Sequence, residues 1–172
     1  MEGKIAKISR EKNESQLLED LEKYREKTLE LGAANSKIIK TDAIPVDERV
    51  TLKCQIPRCF GYGSSAHCPP HTMKPAELLS HLKNYQWAVF FTRKVSTELL
   101  LRKPDDKDRI AAFQSIYKVV KTIESMAFYN GHYLAFGLGA GGCRRTFCGQ
   151  HLLDNGAAGV AENIVLVDQI HL

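Results

Sequence analysis

Residues 87–92 read WAVFFT, an apolar run closed by one polar residue. Such a run fits a strand covered on both faces, because a half-solvated strand would carry a polar residue at every second position. The next fifty residues set the architecture. From about Asp105 to Tyr129, the residues Ile110, Phe113, Ile116, Tyr117, Val120, Ile123 and Ala127 recur at helical spacing, giving a long helix with one buried face. Asn130-Gly131 supplies its stop, and His132 to Leu138 reads as another strand. Strand, long helix, strand is a βαβ unit over about 86–138, and such crossovers nearly always join parallel strands with a right-handed turn. The expected fold is α/β, a single layered domain over residues 1–172 with a mainly parallel sheet.

Working outward, Leu17, Leu18, Leu21, Tyr24, Thr28 and Leu31 mark a helix from Glu14 to Leu31 that Gly32 ends, within an N-terminal helical segment at 1–34. Ser36 to Lys40 reads as a short strand. Pro45 opens a short helix with acids in its first turn, Asp47 and Glu48, and this helix delivers Cys54. Pro75 to Asn84 is a further short helix, with Leu78, Leu79 and Leu82 on one side. Ala161 to Ile170 could form a closing strand. No repeat, linker or low-complexity block interrupts the chain.

The 172 residues are 44% hydrophobic and 26% charged, and the formal net charge of +4 is mild. Two basic stretches, Lys4 to Lys12 and Arg144-Arg145, lack interleaved aromatics, which argues against nucleic acid as a partner. The N-terminal MEGKIAKISREKNESQ has no apolar core of the signal-peptide kind, and no apolar run is long enough for a bilayer. The expectation is a cytoplasmic protein with no membrane partner, whose thiols stay reduced. Five cysteines are also an odd number for a disulfide framework.

Three of the five lie in the Cys-rich loop at 54–70, CQIPRCFGYGSSAHCPP, where Pro57, Gly61, Gly63, Ser64, Ser65, Pro69 and Pro70 leave room for little but loop. The spacing is Cys54-x4-Cys59-x8-Cys68, followed far downstream by Cys143-x4-Cys148. Zinc knuckles use spacers of two to four residues, which the eight-residue interval does not fit. Iron–sulfur clusters take cysteines at more varied spacings, and Cys followed by Pro, as in Cys68-Pro69, recurs in ferredoxin-type sites. Glycines at 61, 63, 139, 141 and 142 let the backbone turn around a metal core with its N–H groups toward the sulfurs. The blander reading is that some of these are ordinary buried cysteines.

Gly137-Leu-Gly-Ala-Gly-Gly142 matches G-x-G-x-x-G after a strand, which raises a dinucleotide site. Its context is poor, since Cys143-Arg-Arg-Thr-Phe-Cys148 follows and only Glu162 approaches the distance of the required acid. His67 and His71 flank Cys68-Pro69-Pro70 as candidate fourth ligands or exposed side chains. Tyr62 is a candidate to shield a cluster or donate to it, and otherwise packs the loop. Arg144 and Arg145 are candidates to balance an anionic cluster or acidic substrate, and otherwise form a solvated turn.

Cys-x-x-Pro-x-Cys-x-x-Tyr-Gly from Cys54, then Cys68-Pro-Pro, then Gly139-Ala-Gly-x-Cys143 together resemble an uncharacterised family of predicted metal-binding proteins. This is domain of unknown function 2284, of mainly anaerobic bacteria and archaea. The likeness runs from roughly residue 36 to 148. It implies cysteine ligands at Cys54, Cys59, Cys68 and Cys143, with Cys148 close to a further family cysteine, and it implies metal binding, iron–sulfur in kind, with no set reaction. After Leu152 the sequence departs from the family, giving an atypical tail at 152–172.

The functional expectation is a cysteine-ligated metal protein carrying a [4Fe–4S] cluster, with an electron-transfer or redox role and a redox partner protein. Tyr62, Gly139, Gly141, Gly142 and Arg144 would surround that group. The alternatives are a structural zinc module and a nucleotide-binding enzyme using Gly137 to Gly142. One shared site requires the loop of Cys54 to Cys68 to reach the sheet edge from which Cys143 emerges.

Overall fold

The structure is a computed structural model, and it describes residues 13–59, 61–63, 68–103, 106–139 and 163–167. The first helix, α1 (Glu14–Glu30), begins at Asn13, whose side chain accepts from the Gln16 N–H while the Gln16 side chain accepts from the Asn13 N–H. This reciprocal box satisfies donors that a helix start leaves unpaired. Strand β1 (Asn35–Lys40) follows, and two 3-10 turns, Thr41–Ala43 and Glu48–Thr51, lead into a single-turn helix, α2 (Leu52–Gln55). Cys54 therefore sits on α2 itself. Helix α3 (Pro75–Leu82) precedes β2 (Trp87–Thr92), the stretch that reads WAVFFT.

After β2 come a short helix, α4 (Thr97–Leu101), and the long α5 (Lys107–Tyr129). Asp106 caps α5 by accepting from the N–H groups of Asp108 and Arg109, which sets its start just inside the expected Asp105. Gly131 ends the helix at φ 98°, a left-handed conformation that a side chain disfavours, and the His132 N–H closes the cap on the Ala127 carbonyl. Strand β3 is only Phe136–Leu138, shorter than the expected His132 to Leu138, and β4 is Asn163–Val167.

The sheet corrects the expected parallel arrangement. Its order is β1-β2-β4-β3, and every neighbouring pair is antiparallel. Strands β2 and β3 do run the same way, as a helical crossover dictates, but β4 lies between them and opposes both. This is a split βαβ arrangement. The crossover rule fixes relative direction and leaves adjacency open, and that freedom is where the sequence reading failed.

One face of the sheet is covered by α1 and α5. Val89 and Phe91 of β2 and Val165 and Val167 of β4 pack with Leu17, Leu21 and Tyr24 of α1 and Val119, Val120, Ile123 and Ala127 of α5. Each such fully buried side chain contributes about 1.5–3 kcal/mol relative to exposure. The other face carries Ala88 and Leu166 under Leu82 of α3, with Ile39, Ile44, Val46, Leu78, Phe90 and Leu138 around them. Covering both faces accounts for the unbroken apolar character of β2.

A polar cluster ties α1 to the turn after α5. His132, 3% exposed, lies 3.2 Å by Nε2 from Oδ2 of Asp20, itself 8% exposed. Lys23 reaches Asp20 Oδ1 at 3.0 Å, and Asn130 Nδ2 donates to the Tyr24 hydroxyl at 3.0 Å. Burial pushes the Tyr24 phenol well above its ordinary range, with the Asn130 hydrogen bond opposing, so it is neutral throughout the physiological range. Removing a buried acceptor takes a hydrogen bond from its donor, which costs about 1–3 kcal/mol. Asp20→Ala is expected to destabilise the fold by about 2 kcal/mol in urea unfolding. Asp20→Leu combined with His132→Leu should cost less than the two single changes together.

Candidate metal centre

The cysteine loop is built on backbone ties between its own thiol-bearing residues. The Cys59 N–H donates to the Cys54 carbonyl at 3.0 Å, and the Tyr62 N–H donates to the Cys59 carbonyl at 3.0 Å. Gly63 then donates to the Pro69 carbonyl at 2.8 Å, joining the turn after Cys59 to the segment that carries Cys68. His71 and Thr72 both donate to the Cys68 carbonyl, at 2.9 and 3.1 Å. Glycine at 63, with φ 70°, allows the sharp bend this requires.

Gly61 is the centre of the arrangement. A β-carbon placed there would stand 3.1 Å from Cys68 Sγ and 3.8 Å from Cys59 Sγ, so both sulfurs border one methyl-sized space. The Gly61 N–H points at Cys59 Sγ, with a nitrogen–sulfur distance of 3.4 Å. Cys68 is buried and Cys54 and Cys59 are half-buried. Burial raises the Cys54 thiol above its ordinary value, and the nearby Cys59 adds to the rise. Two sulfurs about one position and a backbone donor aimed at one of them are the donor chemistry that a thiophilic metal takes. Among the described residues, no three His, Cys, Asp or Glu side chains converge closely enough to hold an ion, and no disulfide joins Cys54, Cys59 and Cys68.

The surrounding candidates divide. Tyr62 is half-buried, and its ring carries the Arg58 guanidinium 5.3 Å from its centroid, an aromatic-cation contact that the sequence reading missed. The His71 side chain is exposed, and its described tie to the loop runs through its backbone. His67, Gly141, Gly142, Cys143, Arg144, Arg145, Cys148 and Glu162 lie outside the described residues, as do Lys4 to Lys12 and the tail apart from 163–167.

The first two glycines of the Gly137 to Gly142 stretch have another use. A β-carbon on Gly137 would stand 2.4 Å from Val120 Cγ1, and one on Gly139 would stand 3.0 Å from Tyr117 Cε1. Both are needed so that α5 can lie flush on β3. The Gly137 N–H also donates to the Glu124 carboxylate, whose protonation burial favours. A phosphate cradle needs its glycine backbone open to a ligand, and here that backbone faces the helix. Alternation of Gly137 and Gly139 on one strand face was the signal for this packing role.

The strand directions also bear on the shared site. β1 ends at Lys40, which pairs with Trp87 at the start of β2, whereas β3 ends at Leu138, beside the β4 residue that also faces Phe90. The two cysteine-bearing stretches thus leave the sheet from opposite ends, and the common edge expected from a parallel sheet is absent. Leu138, the last residue of β3, packs in the same cluster as Ile44, Val46 and Leu78.

Two substitutions separate these roles. Gly61→Ala is expected to lower metal content several-fold after reconstitution while shifting the unfolding midpoint little, since it crowds two sulfurs and neither apolar cluster on the sheet. Gly137→Ala should do the reverse, destabilising the fold by about 2 kcal/mol through its clash with Val120. Metal analysis beside urea unfolding of the two variants checks both.

No curated protein and no solved structure matches the chain. The family model described as predicted metal-binding protein (DUF2284) matches residues 37–156, a span that begins in β1 and contains all five cysteines. The chain belongs to this family of predicted metal-binding proteins.

Proposed function

We propose that the chain holds a [4Fe–4S] cluster through Cys54, Cys59, Cys68 and one of Cys143 or Cys148, and exchanges electrons with a redox partner protein. The observation that carries the reading is the cradle at Gly61, where two sulfurs and a backbone N–H surround a space that any side chain would fill. When bound, such a cluster would supply a one-electron store. The chain's own contribution is to hold the thiolates, to direct the Gly61 N–H at one of them, and to exclude water with the buried Cys68 side. Hydrogen bonds to sulfur and partial burial are the means by which a protein tunes such a group.

Reach does not stand in the way of a fourth ligand from downstream. Five residues carry the chain from Leu138 to Cys143, and extended they span up to about 17 Å. That is about the length of a five-residue strand, enough to return along the α3-covered face from one end of the sheet to the other.

Anaerobic reconstitution with iron and sulfide, followed by metal analysis and paramagnetic resonance after reduction, tests the reading. The expected outcome is about four iron atoms per chain and a reducible signal. Cys68→Ala and Cys143→Ala should lower iron content alike. Stoichiometric zinc without iron uptake would replace this reading with the structural zinc module, whose removal would unfold the chain because its binding energy is folding energy.

A further inference from the structure

A β-carbon at Gly61 would meet Cys68 Sγ at 3.1 Å and Cys59 Sγ at 3.8 Å, which puts the two sulfurs about one small site. The Cys54 sulfur, on α2, is not among the atoms that meet that position. Cys59 is the more accessible of the pair, being half-buried where Cys68 is 7% exposed, and it receives the Gly61 N–H.

We propose that, when no metal is held, Cys59 and Cys68 form a disulfide on exposure to hydrogen peroxide, and that this bond closes the loop to metal until a thiol reductant reopens it. The bond-forming chemistry stands on the sulfur positions alone, and its consequence for metal rests on the function proposed above. Cys59 sulfur attacks one peroxide oxygen, forming an S–O bond as the O–O bond breaks, and the departing hydroxide leaves as water with a proton. The Cys68 sulfur then attacks Cys59 sulfur, the S–S bond forms, the S–O bond breaks, and a second water departs with the Cys68 proton. Two thiols and one peroxide become one disulfide and two waters, the sulfurs losing two electrons and the peroxide oxygens gaining them. The cradle supplies what this route requires, a resolving sulfur beside the one first oxidised, without which oxidation proceeds to the irreversible acids.

The test uses the full chain, stripped of metal under anaerobic conditions and treated with one equivalent of hydrogen peroxide. Blocked peptides are then mapped by mass. The expected product is a Cys59–Cys68 linkage, formed equally in Cys54→Ser and in a Cys143→Ser, Cys148→Ser double variant, and absent from Cys68→Ser. Iron uptake of the linked chain should fall about tenfold, since two of four thiolates are removed, and dithiothreitol should restore it. A dominant linkage to Cys54, Cys143 or Cys148 would overturn the proposal, as would sulfinic acid at Cys59 without a linkage, or unchanged uptake after linkage. An untreated reduced sample run alongside isolates the metal reading. If that sample takes up no metal, the function proposed above falls and the closure to metal falls with it, while the peptide map still decides the pairing.

Discussion

Helix α5 lies directly on β3 because Gly137 and Gly139 present no β-carbon to Val120 and Tyr117, and the order of the sheet depends on that contact. A helix is about 10 Å across and neighbouring strands are about 4.8 Å apart, so one helix covers two strand spacings. With α5 packed against both β3 and β4, the strand beneath it is β4, and β2 comes next. Val119, Ile123 and Ala127 then meet Val165, Val167, Val89 and Phe91 in one cluster, with α1 filling the remainder of the layer. The antiparallel order follows from placing β4 where a parallel neighbour was expected.

The same layer explains the polar cluster of Asp20, His132, Tyr24 and Asn130. α1 and the turn after α5 meet at the margin of the helical layer, where buried polar groups need mutual partners. His132 begins the path from α5 into β3, so the link to Asp20 also holds the approach to the glycine and cysteine stretch that follows. α1 precedes the matched family span, yet its side chains are bonded to residues within it. The helix is part of what holds the family region in shape.

The segments that flank the cysteine loop, Ile44 to Val46 and α3, pack on the opposite face of the sheet. The described thiol-bearing residues of the loop are joined by backbone hydrogen bonds. At Gly61 the absence of a β-carbon leaves Cys68 Sγ and Cys59 Sγ room to approach the backbone.

Much was determined by the sequence alone. Helical periodicity placed α1 and α5 within two residues of their ends, the unbroken WAVFFT run placed β2, and the Cys-Pro and Tyr-Gly pattern pointed to the family and to metal. These are local properties, set by spacing along one segment. What the tertiary structure decided was pairwise. That β4 separates β2 from β3, that Gly137 and Gly139 serve a helix contact, and that Asp20 meets His132 across 112 residues are facts about which segments become neighbours. Strand order carries no local signature, because an apolar strand satisfies its two faces equally well beside a parallel or an antiparallel partner. The helix width and the missing β-carbons chose between them, and those act only once the chain has folded back on itself.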